Sequence, residues 1–185
     1  MSRIENNAIS VGTKLIKGDE FLLDTEGQRK LAAFLCLMAM RLEFLGRMRA
    51  IPPSDRVFLK DHGEPPGLWT IWIAGYRGEN ADEHWSRYCG MQIGSTPAEK
   101  VGPDYCNTQV TTMVIGKLCA HLFSSTETPI LGYEGIRLMR VWPLTDLDMN
   151  TRFLPTIPEN AILWLHEALA RESTPISKAP LRGSN

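Results

Sequence analysis

Residues 68–76 read Leu68-Trp69-Thr70-Ile71-Trp72-Ile73-Ala74-Gly75-Tyr76, and this stretch decides the fold class. Trp69, Ile71 and Ile73 alternate with Thr70, Trp72 and Ala74, the period of two that a pleated strand imposes. Large side chains fall on both faces, so both faces need cover. Immediately before it, Gly63-Glu64-Pro65-Pro66-Gly67 breaks any regular element. Everything upstream of that breaker follows a helical period, and most of the chain downstream has the character of strands.

Upstream, the strongest helical signal runs from about Thr25 to Arg47. Asp24 has the chemistry of an N-cap, and Glu26 suits the positive end of the helix dipole. Leu31, Phe34, Leu35, Met38, Leu42 and Leu45 recur at helical spacing. Ala32, Ala33, Cys36, Leu37, Ala39 and Met40 widen that stripe, as expected of a central helix with several neighbours. A shorter amphipathic helix is predicted over residues 1–17, with Ile4, Ala8, Val11 and Leu15 on one face and Gly18-Asp19 at its end. Ile51-Pro52-Pro53 turns the chain into another short helix reaching about Asp61.

Downstream, Trp85–Ile93 is predicted as a second strand. Thr108–Phe123 forms a long β-prone run with Gly116 as a site for a bulge, and Ile136–Val141 supplies a last strand. Leu144–Thr156 is polar and irregular, and a closing helix is expected from Pro158 through Arg171, on Ile162, Leu165 and Leu169. The expected fold is therefore α+β. A long central helix and flanking helices pack on an antiparallel sheet of about four strands, as one domain over 1–171 with a loose tail over 172–185.

The chain has 185 residues and a net charge of −1. Residues 1–60 hold ten Lys/Arg against seven Asp/Glu, and residues 61–185 hold ten against fourteen. Bulk charge thus argues against strong non-specific nucleic-acid binding, while the basic bias of the first part leaves Arg3, Lys14, Lys17, Arg47 and Arg49 as candidate phosphate contacts. A solvated helix face is the plain alternative for the same residues. The most apolar stretch, Leu31 to Leu45, is interrupted by Arg41 and Glu43, so no membrane span is expected. With no secretory pattern at the start, a cytoplasmic location is expected.

Chemistry-bearing patterns are sparse. Cys36, Cys89, Cys106 and Cys119 are spaced by 53, 17 and 13, which is no zinc pattern. Cys119 and His121 would share one face of a strand, short of the four ligands of a tetrahedral site. His62, Asn80 and His84 could stand in for a ββα-metal nuclease, but the core strand lies between them. Gly94-Ser95-Thr96-Pro97 lacks the second Gly of a nucleophile elbow, and Gly12-Thr13-Lys14 lacks the first Gly of a phosphate loop. Glu79, Asp82 and Glu83 beside His84 fit surface charge. No catalytic residue, metal ligand or cofactor is therefore expected. The aromatic residues are the better lead: Trp72 and Tyr76, with Arg77 and Arg87 nearby, could stack a base or anchor a protein. Alternatively, the closing helix and Trp164 cover Trp72.

Four segments carry a family resemblance: Met1-Ser2-Arg3-Ile4-Glu5, Met40-Arg41-Leu42-Glu43-Phe44, Ile51-Pro52-Pro53 and Trp69–Tyr76. They resemble bacterial HNH endonuclease-like proteins, in the helical and β region of unassigned role that comes after the nuclease. In that family the zinc and nuclease segment ends in a motif like C-N-x-G-W-M-S-x-L-E, and Met1-Ser2 would match its Met-Ser. The resemblance implies a non-catalytic accessory or recognition domain, from a bacterium or phage, with the nuclease chemistry upstream. A protein partner is expected, with nucleic-acid binding weak for this segment alone. The rival expectation is a small protein-binding effector, such as an inhibitor in phage–host conflict, using the aromatic sheet surface or the acidic loops with Asp146 and Asp148.

Overall fold

A computed structural model describes residues 2–45, 49–78, 84–93, 106–130, 132, 136–145, 147–162 and 164–165. Three helices precede the main sheet: α1 (Arg3–Lys17), α2 (Thr25–Leu42) and α3 (Pro53–His62), with the two-residue strand β1 (Leu22–Leu23) between the first two. The main sheet draws on β2 (Trp69–Tyr76), β3 (His84–Met91), β4 (Thr108–Ile115), β5 (Leu118–Ser125), β6 (Met139–Trp142) and β8 (Thr156–Ile157). Strand β7 (Met149–Asn150) pairs with β1 in a small second sheet. The α+β expectation holds.

Local chemistry sets the helix ends. Ser2 caps α1 through a reciprocal box, its hydroxyl accepting from the Glu5 amide while Glu5 accepts from the Ser2 amide at 2.6 Å. Gly18 closes that helix in the left-handed conformation, with φ 75°. The Asp24 carboxylate accepts from the Gly27 amide at 2.7 Å, as its N-cap reading requires. Pro53 occupies the first turn of α3, where its missing N–H costs nothing.

The sheet order is β3-β4-β5-β2-β6, antiparallel along this path, with β8 joining β2 in parallel. The expected four strands are corrected in two places. The run Thr108–Phe123 is no single bulged strand but most of a hairpin: Ile115 pairs with Leu118, leaving Gly116 and Lys117 as a two-residue turn. Gly116 takes φ 56°, the positive value at the first turn position that suits the twist of a tight hairpin. The second addition is β8, from a segment expected to be irregular. It runs beside Gly75 and Tyr76 at the end of β2 left free by β6, which pairs farther back at Ile71 to Ile73.

The alternation along β2 sorts the two faces. Trp69, Ile71 and Ile73 join Leu31, Leu35, Met113, Leu122 and Val141 in the core beneath the helices. Thr70, Trp72, Ala74 and Tyr76 point to the opposite face. On α2 the most buried line runs through Gln28, Ala32, Leu35, Cys36 and Ala39, while Phe34, Met38 and Leu42 are only partly covered. Small residues let the helix approach the sheet closely enough for the Gln109 amide on β4 to donate to the Ala39 carbonyl at 3.2 Å. Leu45, expected on the buried stripe, lies in a 3-10 turn after the helix and is 79% exposed. Residues 159–162 and 164–165 are helical and place Ile162 and Leu165 in the second-face core. The rest of the expected closing helix, to Arg171, and the tail 172–185 lie outside the described residues.

Glycine substitutions separate turn from helix. A β-carbon at Gly116 would lie 2.6 Å from the Ile16 carbonyl oxygen, in a backbone region that L-residues avoid. Gly12 sits inside α1 with nothing within 4 Å of that position. Thermal unfolding should therefore show Gly116→Ala destabilised by at least about 1 kcal/mol, and Gly12→Ala stabilised by roughly 0.5–1 kcal/mol. An unchanged midpoint for Gly116→Ala would contradict the turn assignment.

Candidate functional site

Sequence-predicted site residues separate into three places. Arg3 and Arg49 belong to one end of the helical layer. Lys14 and Lys17 belong to the far end of α1, about 16 and 21 Å along its axis from Arg3 at 1.5 Å per residue. Lys14 extends over the Phe21 ring, 5.1 Å from its centroid, and Lys17 is exposed. The expected basic surface is thus split between two sites. Arg47 lies outside the described residues, as do Asn80, Asp146 and the loop with Gly94 and Ser95.

Trp72 and Tyr76 lie on the face opposite the helices, and both are buried, Trp72 at 2% exposure. Their reading as exposed aromatic anchors is corrected. The Trp72 indole packs with Cys89, Met91, Val110 and Phe123, whereas the closing-helix residues Ile162 and Leu165 group with Ala74 and Tyr76. Among the described residues, the cover of Trp72 thus comes from β3, β4 and β5 rather than from Ile162 and Leu165. Arg77 and Arg87 are exposed, and the Arg87 guanidinium sits 5.6 Å from the Trp85 ring centre instead.

A polar line crosses this second face. Strand register aligns Arg87 with Thr112, Thr112 with His121, His121 with Trp72, and Trp72 with Arg140. Thr112 and His121 are fully buried and hydrogen-bonded at 2.8 Å, and the imidazole tilts against Trp72 at 5.8 Å between centroids. Cys119 shares the face of His121, as its spacing requires. Burial pushes the Cys119 thiol up to about 12 and also raises the thiols of Cys36 and Cys89, so these cysteines are poor nucleophiles. Among the described residues, no three His, Cys, Asp or Glu side chains come together as a metal site would require. His62 stacks on Phe58 in the last turn of α3, while His84 opens the edge strand β3.

An open concave feature lies on the helical layer. A cavity of about 340 Å³ sits between the first turn of α1, the last turns of α2 and the Arg56–Lys60 part of α3. Ile4, Leu37, Met40 and Leu59 give it an apolar lining, and Arg3, Arg41, Arg56 and Lys60 supply its cations. Phe44 stands at its edge, 60% exposed, with the Arg49 and Arg56 guanidinium groups 4.7 and 4.6 Å from the ring centre.

Glu43 builds this site, a residue whose sequence position signalled only an interruption of an apolar run. Its side chain is fully buried. The carboxylate accepts from the Ala50 amide at 2.5 Å and the Ile51 amide at 2.8 Å, and pairs with the Arg56 guanidinium. Arg56 also donates to the Met40 carbonyl at 3.0 Å, and Arg49 donates to the Glu43 carbonyl. Two arginines thereby satisfy carbonyls where α2 ends. At the other wall, the Arg41 guanidinium meets Glu5 at 2.5 Å. That bond, followed by those from the Ser2 amide and hydroxyl, lowers the Glu5 carboxyl to about 2. Arg3 spans the remaining gap through a long bond of 3.5 Å to the Lys60 carbonyl. Behind the cavity, the Trp69 indole donates to Asp55 at 2.8 Å and ties α3 to β2. Burial raises the Asp55 carboxyl, partly offset by Trp69 and Arg56.

No family model, curated protein or solved structure matches the chain, so the HNH-like resemblance rests on its four quoted segments alone.

Two substitutions test the walls of the groove. Glu43→Gln keeps the size but strips the partly exposed Arg56 of its buried counter-charge, and should lower unfolding stability by roughly 1–3 kcal/mol at constant urea dependence. Glu5→Gln should act through pH. The Glu5 pKa is lower folded than unfolded, so its contribution is complete above 4.5 and disappears as pH falls through about 2. The stability gap between wild type and Glu5→Gln, clear at neutral pH, should therefore close under acid. A gap independent of pH would rule out the Arg41 contact as its source.

Proposed function

We propose that the chain is a non-catalytic recognition domain of the kind that comes after the nuclease segment in HNH-like proteins, and that it holds a protein partner in the cytoplasm. The observation that carries this reading is the groove between α1, α2 and α3, which joins an apolar floor to a cationic rim and an exposed aromatic edge. Buried thiols with raised pKa values also support a binding role over nucleophilic chemistry. Nucleic acid is the weaker partner. Arg41 and Arg56 are already engaged by Glu5 and Glu43, and Lys14 and Lys17 lie a helix length from Arg3, so few cations remain to track a phosphate backbone. No described helix is long and apolar enough to cross a membrane.

A second reading, a stand-alone effector that blocks another protein, is favoured by Phe44 and Leu45, adjacent large apolar side chains that are both mostly exposed. It would use the same groove. A mixed plasmid substrate tests the shared non-catalytic premise. Purified chain should leave the plasmid intact with magnesium or manganese and should carry less than stoichiometric zinc by elemental analysis. Cleavage lost in His62→Ala, or zinc lost in Cys119→Ser, would overturn it.

A further inference from the structure

We infer that the groove between α1, α2 and α3 takes an acidic amphipathic helix from a partner protein, its apolar face on the partly exposed Ile4, Leu37 and Phe44 and its carboxylates on Arg3 and Lys60. The inference deepens the recognition reading, on which it rests, by fixing the chemistry of the partner.

The shape of the site argues for a helix. Its walls are helical turns, and the groups their ends leave over are partly taken by side chains: the Ser2–Glu5 box at the start of α1, and Arg49 and Arg56 on carbonyls at the end of α2. An added strand would find no ladder of free backbone groups there, so recognition falls to side chains, as when an amphipathic helix lies in a groove. A volume of about 340 Å³ is at the small end of ligand sites, enough for a few apolar side chains.

Charge fixes the sign of the partner. The described residues lining the groove include four cations and no carboxylate. Glu43 balances Arg56 from the buried side, and Glu5 engages Arg41. Arg3 and Lys60 meet no carboxylate among the described residues, both are exposed, and the Arg3–Lys60 carbonyl bond sets them side by side at one end. Two cations beside an apolar floor match carboxylates flanking an apolar stripe, the surface an acidic amphipathic helix presents. The same pair is too few for a nucleic-acid track, which gains affinity by neutralising phosphates in succession. Phe44, with two guanidinium groups 4.7 and 4.6 Å from its ring centre, supplies an aromatic edge against which the helix seats.

Fluorescence anisotropy with the full chain tests this. The probe is a labelled helical peptide of about 15 residues, with Leu at i, i+3 and i+4 spacing and Glu on the flanks. Two control peptides exchange Glu for Lys or Leu for Ser, and a single-stranded oligonucleotide of equal charge serves as competitor. Saturable binding of the Glu/Leu peptide is expected, weaker by roughly tenfold or more for each control peptide. Arg3→Glu with Lys60→Glu should weaken it at least as much while circular dichroism shows the fold retained, since both side chains are exposed and only the long Arg3 bond and a favourable charge in the last turn of α3 are lost. Phe44→Ala, also at an exposed position, should weaken binding without that charge dependence. Absent saturation, equal binding of the Lys peptide, indifference to the charge reversals, preference for the oligonucleotide, or self-association that occludes the groove would each overturn the inference. Plasmid cleavage would instead overturn the non-catalytic premise and leave a positive peptide result standing.

Discussion

The buried carboxylate of Glu43 is the constraint on which the helical layer depends. An ionised carboxylate removed from water is tolerated only when its charge and lone pairs are answered, and here two backbone amides and a guanidinium answer them. Meeting that demand fixes three separate pieces of chain at once: the end of α2, the segment at Ala50 and Ile51, and the first turns of α3. The arginine that neutralises Glu43 also satisfies a carbonyl in the last turn of α2 and sits over Phe44. The groove is thus a by-product of ending a central helix on a buried carboxylate. Arg41 and Arg56 are positioned by their ion pairs with Glu5 and Glu43, and the aromatic edge lies beside Arg49 and Arg56.

The sheet joins that layer to a second, differently built face. Toward the helices it offers a largely aliphatic surface from β2, β5 and β6, matched to the small residues of α2. On the other side the strand register gathers threonine, histidine, tryptophan and two arginines into one transverse line, with the threonine–histidine pair fully buried. Buried polar groups fix register more strictly than aliphatic ones, because a slip of one residue would leave the Thr112–His121 bond unmade on the wrong face. The two layers therefore divide the work. The second face specifies how the strands align, and the helical layer carries the open surface.

Local patterns in the chain anticipated most of the elements and fewer of their meetings. The helices at Arg3–Lys17, Thr25–Leu42 and Pro53–His62 arise from apolar spacing, caps and proline placement, all of which act within a few residues. The β4–β5 hairpin reads locally as one strand because a glycine can mark either a bulge or a turn, and only the pairing of Ile115 with Leu118 distinguishes them. β8 escapes a sequence reading because a two-residue strand has no period to detect. Of the candidate binding residues, Arg3 and Arg49 belong to the groove region, while Trp72 and Tyr76 are buried. Arg41, Arg56 and Lys60 do not stand out in the sequence, since nothing in a charged helix position announces a cavity beside it.

The sequence by itself determined the class of the fold, the presence and approximate starts of the three helices before the sheet and which side of β2 each residue would take, because those properties depend on backbone period and on neighbours along the chain. Only the tertiary structure decided which of those faces stayed open. Whether Trp72 is an anchor or a core residue depends on what other segments lay across it, and whether Glu43 is a surface charge or a buried hub depends on Arg56 arriving from another helix. Exposure and charge pairing are set by segments distant along the chain, so a local pattern leaves them open.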